Sequence, residues 1–404
     1  MSDDRFDIPI EREPDAPRPM SKGERYRSLA AVIASAFAAS LTFSICMPLL
    51  ALILERRGTD TVLIGLNTAS ASLGLLIFTL AAPVIVNRYG TMRTLYLGFV
   101  LMIFSLALLP VFNNVWAWFP LRFIMGIGIA IHWVVSETWI NTIVEDRIRG
   151  RVMGIYVTAL AGGYLAGLSV LYFVGSEGYL PFFIICAAMA LAVFPLVFAH
   201  NLAPGIKATE GFGIFGAIRR APATMSAALT DGFVLGGLFA FFVIYVQRLG
   251  FDEKSAIVML IVMSLGHVTM QYPIGFLVDL VNRRLLLIVF AVLVALGTVA
   301  LPFVIDHVIL RWVLLFIWGG VMGGIYTCGL ALVGQRFAKD ELAGANATFI
   351  FTYELGTLVG PIVGGFAMSL WNPNGLLAVT VSAGVLFALF TTARHLTASG
   401  KALE

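Results

Sequence analysis

Twelve stretches of this chain are each long and apolar enough to cross a lipid bilayer, and nothing else in the sequence limits the fold so tightly. They cover about 28–54, 61–86, 93–112, 116–142, 150–174, 179–199, 222–247, 254–279, 285–304, 309–335, 342–369 and 374–393. A crossing helix takes about 20 apolar residues. The composition agrees: of 404 residues, 59% are hydrophobic and 12% charged, more apolar surface than a soluble protein of this length can bury. The expected class is an all-α membrane protein with twelve transmembrane helices, working as a monomer.

Residues 1–27 are polar and rich in Pro and Arg, and are expected to form a disordered tail. The first apolar stretch is too long for the core of a cleaved signal peptide. The connections are short except near 200–221, which holds Pro204, Lys207, Glu210, Arg219 and Arg220. The expected plan is a six-helix bundle over 28–200, a linker over 201–221, a second bundle over 222–396 and a tail over 397–404. Within the linker, residues 211–220 (GFGIFGAIRR) suit a short helix on the membrane surface. Cys46, Cys186 and Cys328 all fall in apolar segments and suit packing.

Lysine and arginine set the orientation. With the N-terminus in the cytoplasm, twenty fall on the cytoplasmic side and five (Arg56, Arg57, Arg248, Lys254, Arg311) on the other, with Arg122 inside a helix. That bias places both termini in the cytoplasm.

The two halves resemble each other. LERRG (54–58) matches VQRLG (246–250) at a shift of 192, which aligns Arg56 with Arg248, Gly58 with Gly250 and Gly74 with Gly266. PVIVNRYGTM (83–92) falls on GFLVDLVNRR (275–284), and a shift of 194 sets Gly162 on Gly356. A duplicated six-helix unit is a transporter plan, with its site near the midplane between the halves.

Specific residues point further. PVIVNRYGTMR resembles the loop signature G-x-x-x-D-R-x-G-R-R of the major facilitator superfamily at Arg88 and Gly90. The second copy matches it at Gly275, Asp279, Arg283 and Arg284. LRFIMGIGIA is similar to that family's R-x-x-x-G-x-G-x-A stripe at Arg122, Gly126, Gly128 and Ala130. The resemblance covers nearly the whole chain and implies the major facilitator fold, two pseudo-symmetric six-helix bundles. In it helices one, four, seven and ten line a cavity, helices two, five, eight and eleven flank it, and the rest lie outside. GxxxGPxxGG (356–365) resembles a signature that proton–drug antiporters carry on helix five. Here it stands on helix eleven, while helix five has AGGYLAGLS, with Gly163 and Gly167 four apart and no proline. SETWIN (136–141) and RGR (149–151) resemble another bacterial branch of the superfamily.

Glycines four apart let helix backbones approach closely. The resemblance makes helices two and eleven neighbours, so Gly356, Gly360 and Gly364 are expected against Gly65, Ala69, Ser72 and Thr61, with Pro361 marking a bend. At 100° per residue Glu354 then faces away from that seam, into the interior.

Charges at membrane depth are expensive and are kept for function. They are Arg122, His132 and Glu137 on the fourth segment, Asp231 on the seventh, His267 on the eighth and Glu354 on the eleventh. Glu354 and His267 stand at similar depth, where a carboxylate and an imidazole can exchange a proton as a solute binds and leaves. Asp231 is a further binding candidate. His132 suits either a site role or a hydrogen bond to a neighbouring helix. Arg122 either snorkels to the interface or assists proton movement, the role implied by the family stripe. Glu137 suits a gate closed by a base such as Arg88, and Asp279, Arg283 and Arg284 suit a latch that sets state populations. Trp133, Tyr156, Tyr245 and Tyr326 are the expected cavity aromatics, among Trp139, Tyr164 and Trp318, and favour an aromatic or amphipathic organic solute.

No stretch resembles a P-loop, and no metal-ligand spacing, nucleophile–base set or basic nucleic-acid patch occurs. The expected function is transport of a small organic solute across a bacterial inner membrane by alternating access, driven by protons and without a cofactor. A uniporter, a drug or metabolite exporter, a non-transporting sensor and a membrane enzyme are the alternatives.

Overall fold

The computed structural model describes residues 20–204, 214–338 and 341–400. Among the described residues twelve helices long enough to cross a membrane follow one another. They are α1 (Lys22–Arg56), α2 (Thr61–Tyr89), α3 (Thr91–Leu108), α4 (Val115–Ile143), α5 (Arg149–Val174), α6 (Leu180–Phe198), α7 (Pro222–Arg248), α8 (Glu253–Thr269, resuming after Met270 as Gln271–Leu280), α9 (Arg283–Val304), α10 (Leu310–Arg336), α11 (Leu342–Leu370) and α12 (Gly375–Gly400). Hydrocarbon offers no partner to a backbone N–H or C=O, so each crossing satisfies its own ladder as a helix. With twelve crossings both described ends lie on one side, here called the terminus end. The other is the far end.

Local chemistry moves the expected boundaries. α1 begins at Lys22, inside the stretch expected as tail, because Ser21 and Glu24 form a capping box: the Glu24 N–H donates to Ser21 Oγ (3.2 Å) and the Ser21 N–H to Glu24 Oε2 (2.8 Å). α12 likewise runs to Gly400, past the expected limit of 396. Of the linker, Lys207 and Glu210 lie outside the described residues. Ile214–Arg220 is a short helix, but Ala217 is buried in a cluster with Met225, Val333, Ala345 and Phe349, so it docks on protein where a lipid surface was expected. Arg220 clamps it there, donating to both carboxylate oxygens of Glu341 (2.5 and 3.1 Å). The Arg220 guanidinium holds the Glu341 carboxyl below the usual carboxylate range. The clamp is therefore fully present above that range and is lost as pH falls through the lowered value.

The duplication is visible in the packing. Gly74 of α2 abuts the Phe123 backbone of α4, and Gly266 of α8 abuts Phe316 of α10. Gly163 of α5 abuts Phe37 of α1, and Gly356 of α11 abuts Leu229 of α7. Gly167 meets Leu41 where Gly360 meets Phe233. Gly163, and not Gly162, is thus the partner of Gly356. Gly58 and Gly250 close their helices in the left-handed region, at φ 71° and 98°.

The same comparison corrects the glycine seam. Gly356 and Gly360 face α7, where a methyl group would collide with the backbones of Leu229 and Phe233. α11 does pack on α2, but through another face: the Thr61 hydroxyl donates to Gly365 O (2.9 Å), the Ser72 hydroxyl to Thr357 O (3.4 Å), and Gly65 abuts the Pro361 carbonyl. Gly364 is looser, since a methyl there would meet side-chain carbons of Leu376 and Phe241 at 3.4 and 3.6 Å. Gly360→Ala is accordingly expected to destabilise the protein by about 1–3 kcal/mol, because neither backbone can yield. Gly364→Ala is expected to be near neutral. Apparent Tm values of the two purified variants check this, and equal values would show that the α7–α11 contact has slack.

Candidate functional site

A cavity of about 840 Å³ lies between the two halves. Its wall comes from α1, α2, α4 and α5 in the first half and α7, α8, α10 and α11 in the second. None of the lining residues belongs to α3, α6, α9 or α12. Most of the wall is apolar. Three strongly ionisable side chains break it: Arg122 on α4, His267 on α8 and Glu354 on α11.

Glu354 is 6% exposed. The Thr357 hydroxyl sits 3.0 Å from its Oε2 and 2.9 Å from its backbone carbonyl, which steadies the carboxylate one turn from the α7 contact. Facing the interior was the expectation, and the cavity wall is where it stands. His267 reaches the same cavity because Gly323 on α10 makes room. A Cβ at 323 would lie 3.0 and 3.1 Å from Cε1 and Nδ1 of the ring, and would strike the Gln271 amide. The Thr327 hydroxyl donates to that amide's oxygen. Arg122 is 1% exposed, so it does not snorkel to the interface. Among the described residues its Nε has no hydrogen-bond partner, and neither does Trp133 Nε1 on the same helix.

Other expected residues lie elsewhere. His132 presents its ring edge-on to Phe99 of α3, centroids 4.2 Å apart, away from the cavity and without a hydrogen bond among the described residues. It is adjacent to Trp133, which does line the cavity, but turned about 100° from it. Asp231 is 2% exposed and does not line the cavity. It stands one turn from Leu235, which does. Of the expected aromatics, Trp133 and Tyr326 line the cavity. Tyr156 and Tyr245 are buried in the packing instead. Tyr353, stacked edge-on against Tyr326 with centroids 5.4 Å apart, was not anticipated, nor were Phe43 and Phe239.

Toward the terminus end the cavity reaches exposed Val157 on α5 and Tyr272 on α8. Glu137 is exposed there and pairs with no base among the described residues. Arg88 stacks over Tyr89 instead, at 5.6 Å. Arg283 donates to Asp279 (3.3 Å) and to the carbonyls of Val278 and Ala331 (3.2 and 3.1 Å), bracing α8 against α10. Arg284 lies beside them in a second, polar cavity with Arg336.

The far end is different: there Arg56 and Arg248 meet Glu55, Ser176 and Glu253, three residues that nothing in the sequence singled out. Arg248 of α7 grips Glu55 of α1 with two bonds, Nε to Oε1 at 2.8 Å and Nη2 to Oε2 at 3.0 Å. It also donates to Asn372 (2.7 Å). Arg56 of α1 pairs with Glu253 of α8 at 3.4 Å and donates to the Ser176 carbonyl. Ser176 returns its N–H (3.1 Å) and hydroxyl (2.5 Å) to Glu253. Among the described residues, every ion pair joining the two halves is at this end. Arg56 and Arg248 are the two arginines that the repeat aligns.

Over residues 32–270, and again over 256–402, the sequence matches the Major Facilitator Superfamily. The chain belongs to that superfamily. It is therefore a multi-pass membrane transporter of a small solute, not an enzyme. The MFS-type transporter YcaD of Escherichia fergusonii, described as uncharacterised, is 25% identical over 362 residues, 88% of this chain and 93% of that protein. YfkF of Bacillus subtilis, described likewise, is 25% identical over 346 residues, 82% of this chain and 86% of that protein. Among solved structures, the nucleoside transporter NupG superposes with a TM-score of 0.75 at 15% identity, covering 91% of this chain and 98% of that one. A D-xylose–proton symporter superposes at 0.71 and 17% identity, covering 92% and 97%. At these identities the structures share the superfamily's fold with this chain.

Proposed function

We propose that this superfamily member moves a small organic solute with an apolar or aromatic body across the bacterial inner membrane, coupled to protons. The observation that carries the reading is the placement of a buried carboxylate, Glu354, on the wall of a cavity that both halves share. A carboxylate at membrane depth is retained for function, and one able to gain and lose a proton as the cavity changes sides couples solute to proton flow. His267 is its proton-exchange partner, Asp231 tunes the wall from behind, and Trp133, Tyr326 and Tyr353 hold the solute's body. The terminus end faces the cytoplasm, as twenty basic residues against five favour. The bundles over 28–200 and 222–396 rock about the linker. With the terminus end taken as cytoplasmic, the closed far-end pairs favour reading this arrangement as the cytoplasm-open state. When the halves exchange, Glu137 and Arg88, with Asp279, Arg283 and Arg284, hold the cytoplasmic side.

The test is proton movement in proteoliposomes carrying a pH-sensitive dye, challenged in turn with a panel of metabolites and drugs. At least one compound class is expected to move protons, and to do so only with the protein present. Solute entry that is indifferent to the pH gradient, with no proton moved, would replace this reading with a uniporter.

A further inference from the structure

Arg122 makes no ion pair and no hydrogen bond among the described residues, yet it is 1% exposed and lines the cavity. The deep carboxylate on the wall, Glu354, is on the opposite half and accepts from the Thr357 hydroxyl. Cys46 on α1, a thiol and no counter-ion, lines the same cavity as Arg122. A guanidinium taken out of water without a carboxylate is one of the most expensive groups a fold can hold. A protein that keeps one at membrane depth keeps it for function, and on the wall of the shared cavity the group it can meet is the solute. Around it the wall is apolar, with Phe43, Met47, Leu75, Ile129, Trp133 and Phe239.

From this we infer that the solute is an organic anion: a carboxylate or related oxyanion head on an apolar or aromatic body. The inference rests on the transport reading of this cavity. The head pairs with the planar fork of Arg122, the geometry that guanidinium offers to oxyanions, while the body lies along the apolar wall. Arg122 belongs to the first half and Glu354 to the second. An anion on the former and a proton on the latter let the cavity change sides with both charges met. No bond is made or broken.

Three compounds with one body and different heads test it: 3-phenylpropanoate, 3-phenylpropanol and 3-phenylpropylamine, each added to the purified full chain while thermal unfolding is followed. The acid is expected to raise the Tm of the wild type, and the alcohol and amine to leave it unchanged. In Arg122→Gln the apparent affinity for the acid is expected to fall at least about tenfold, with Arg122→Lys between the two. Equal stabilisation by the alcohol or amine, or undiminished stabilisation of Arg122→Gln by the acid, overturns the inference. If none of the three shifts the wild type, the unliganded proteins decide. A Tm of Arg122→Gln above the wild type shows the charge uncompensated, as inferred, and one at or below it shows the charge satisfied within the fold and ends the inference. Acid binding that needs Arg122, in a protein that moves no proton in liposomes, leaves the anion site standing and removes only the coupling. Proton flow driven by a neutral or cationic solute does the reverse.

Discussion

Glu354→Gln is expected to abolish concentrative uptake in proteoliposomes while leaving solute exchange intact. Each unit of pH gradient is worth about 1.4 kcal/mol, or about tenfold accumulation for one proton per solute. In the wild type, accumulation should follow the imposed gradient. The amide cannot release a proton, so the variant should stop at equal concentrations on both sides. It should still exchange labelled for unlabelled solute, because glutamine stands in for the protonated carboxyl and keeps a partner for the Thr357 hydroxyl, now 3.0 Å from Oε2. The split between lost accumulation and retained exchange separates a coupling role from a structural one. A structural glutamate would lose both, or neither. Accumulation in the variant that equals the wild type would move the proton elsewhere, with His267, the imidazole on the wall, as the next candidate.

Much of this was legible in sequence, for reasons that can be stated residue by residue. Crossing segments and the repeat depend on long runs and fixed spacing, which a one-dimensional string carries well. The inward face of Glu354 followed from the glycines beside it, since the two cannot share one side of a helix. Less accessible was which helix a glycine face meets. Gly163 and Gly167 already stood on α5 in the pattern of Gly356 and Gly360, and in the fold they meet α1 as the later pair meets α7. The repeat held the answer, but only as a relation between helices that a single strand of text does not rank. His132 failed on angle alone. On α4 the wall is formed by Arg122, Met125, Gly126, Ile129 and Trp133, and His132 falls off that stripe. Tyr156 and Tyr245 failed because helix membership does not say which face is turned inward. Asp231 shows the opposite case: it stands one turn from Leu235 on the wall and its neighbour Gly232 abuts the Tyr353 backbone, yet it is 2% exposed and does not line the cavity. The far-end clasp was hidden for another reason. The repeat aligns its arginines, but position 247 opposite Glu55 is Gln and position 61 opposite Glu253 is Thr, so the acids have no counterpart to flag them.

Breaking that clasp is expected to turn the transporter toward its other open state. Glu55 and Arg248 are each 23% exposed and share a two-bond grip, so their pair is worth more than an open surface pair. Arg56 and Glu253 are more open at 38% and 23%, but Ser176 ties Glu253 in place. Allowing about 1–2 kcal/mol for each, Glu55→Gln with Glu253→Gln should shift the ratio of the two states on the order of a hundredfold. The chain carries its own reporter. Cys46 is 2% exposed and lines the cavity from α1, whereas Cys186 and Cys328 do not reach it. In a Cys186→Ala, Cys328→Ala background, a membrane-impermeant maleimide added from the far-end side should label Cys46 slowly when the clasp is intact, because the closed far end bars its approach. The double variant should label at least about tenfold faster from that side and more slowly from the terminus-end side. Opposite changes from the two sides are the signature of an exchange between open states. A rise from both sides would instead report a loosened bundle, and unchanged labelling would mean that the α2–α11 and α1–α7 contacts hold the far end shut without the ion pairs.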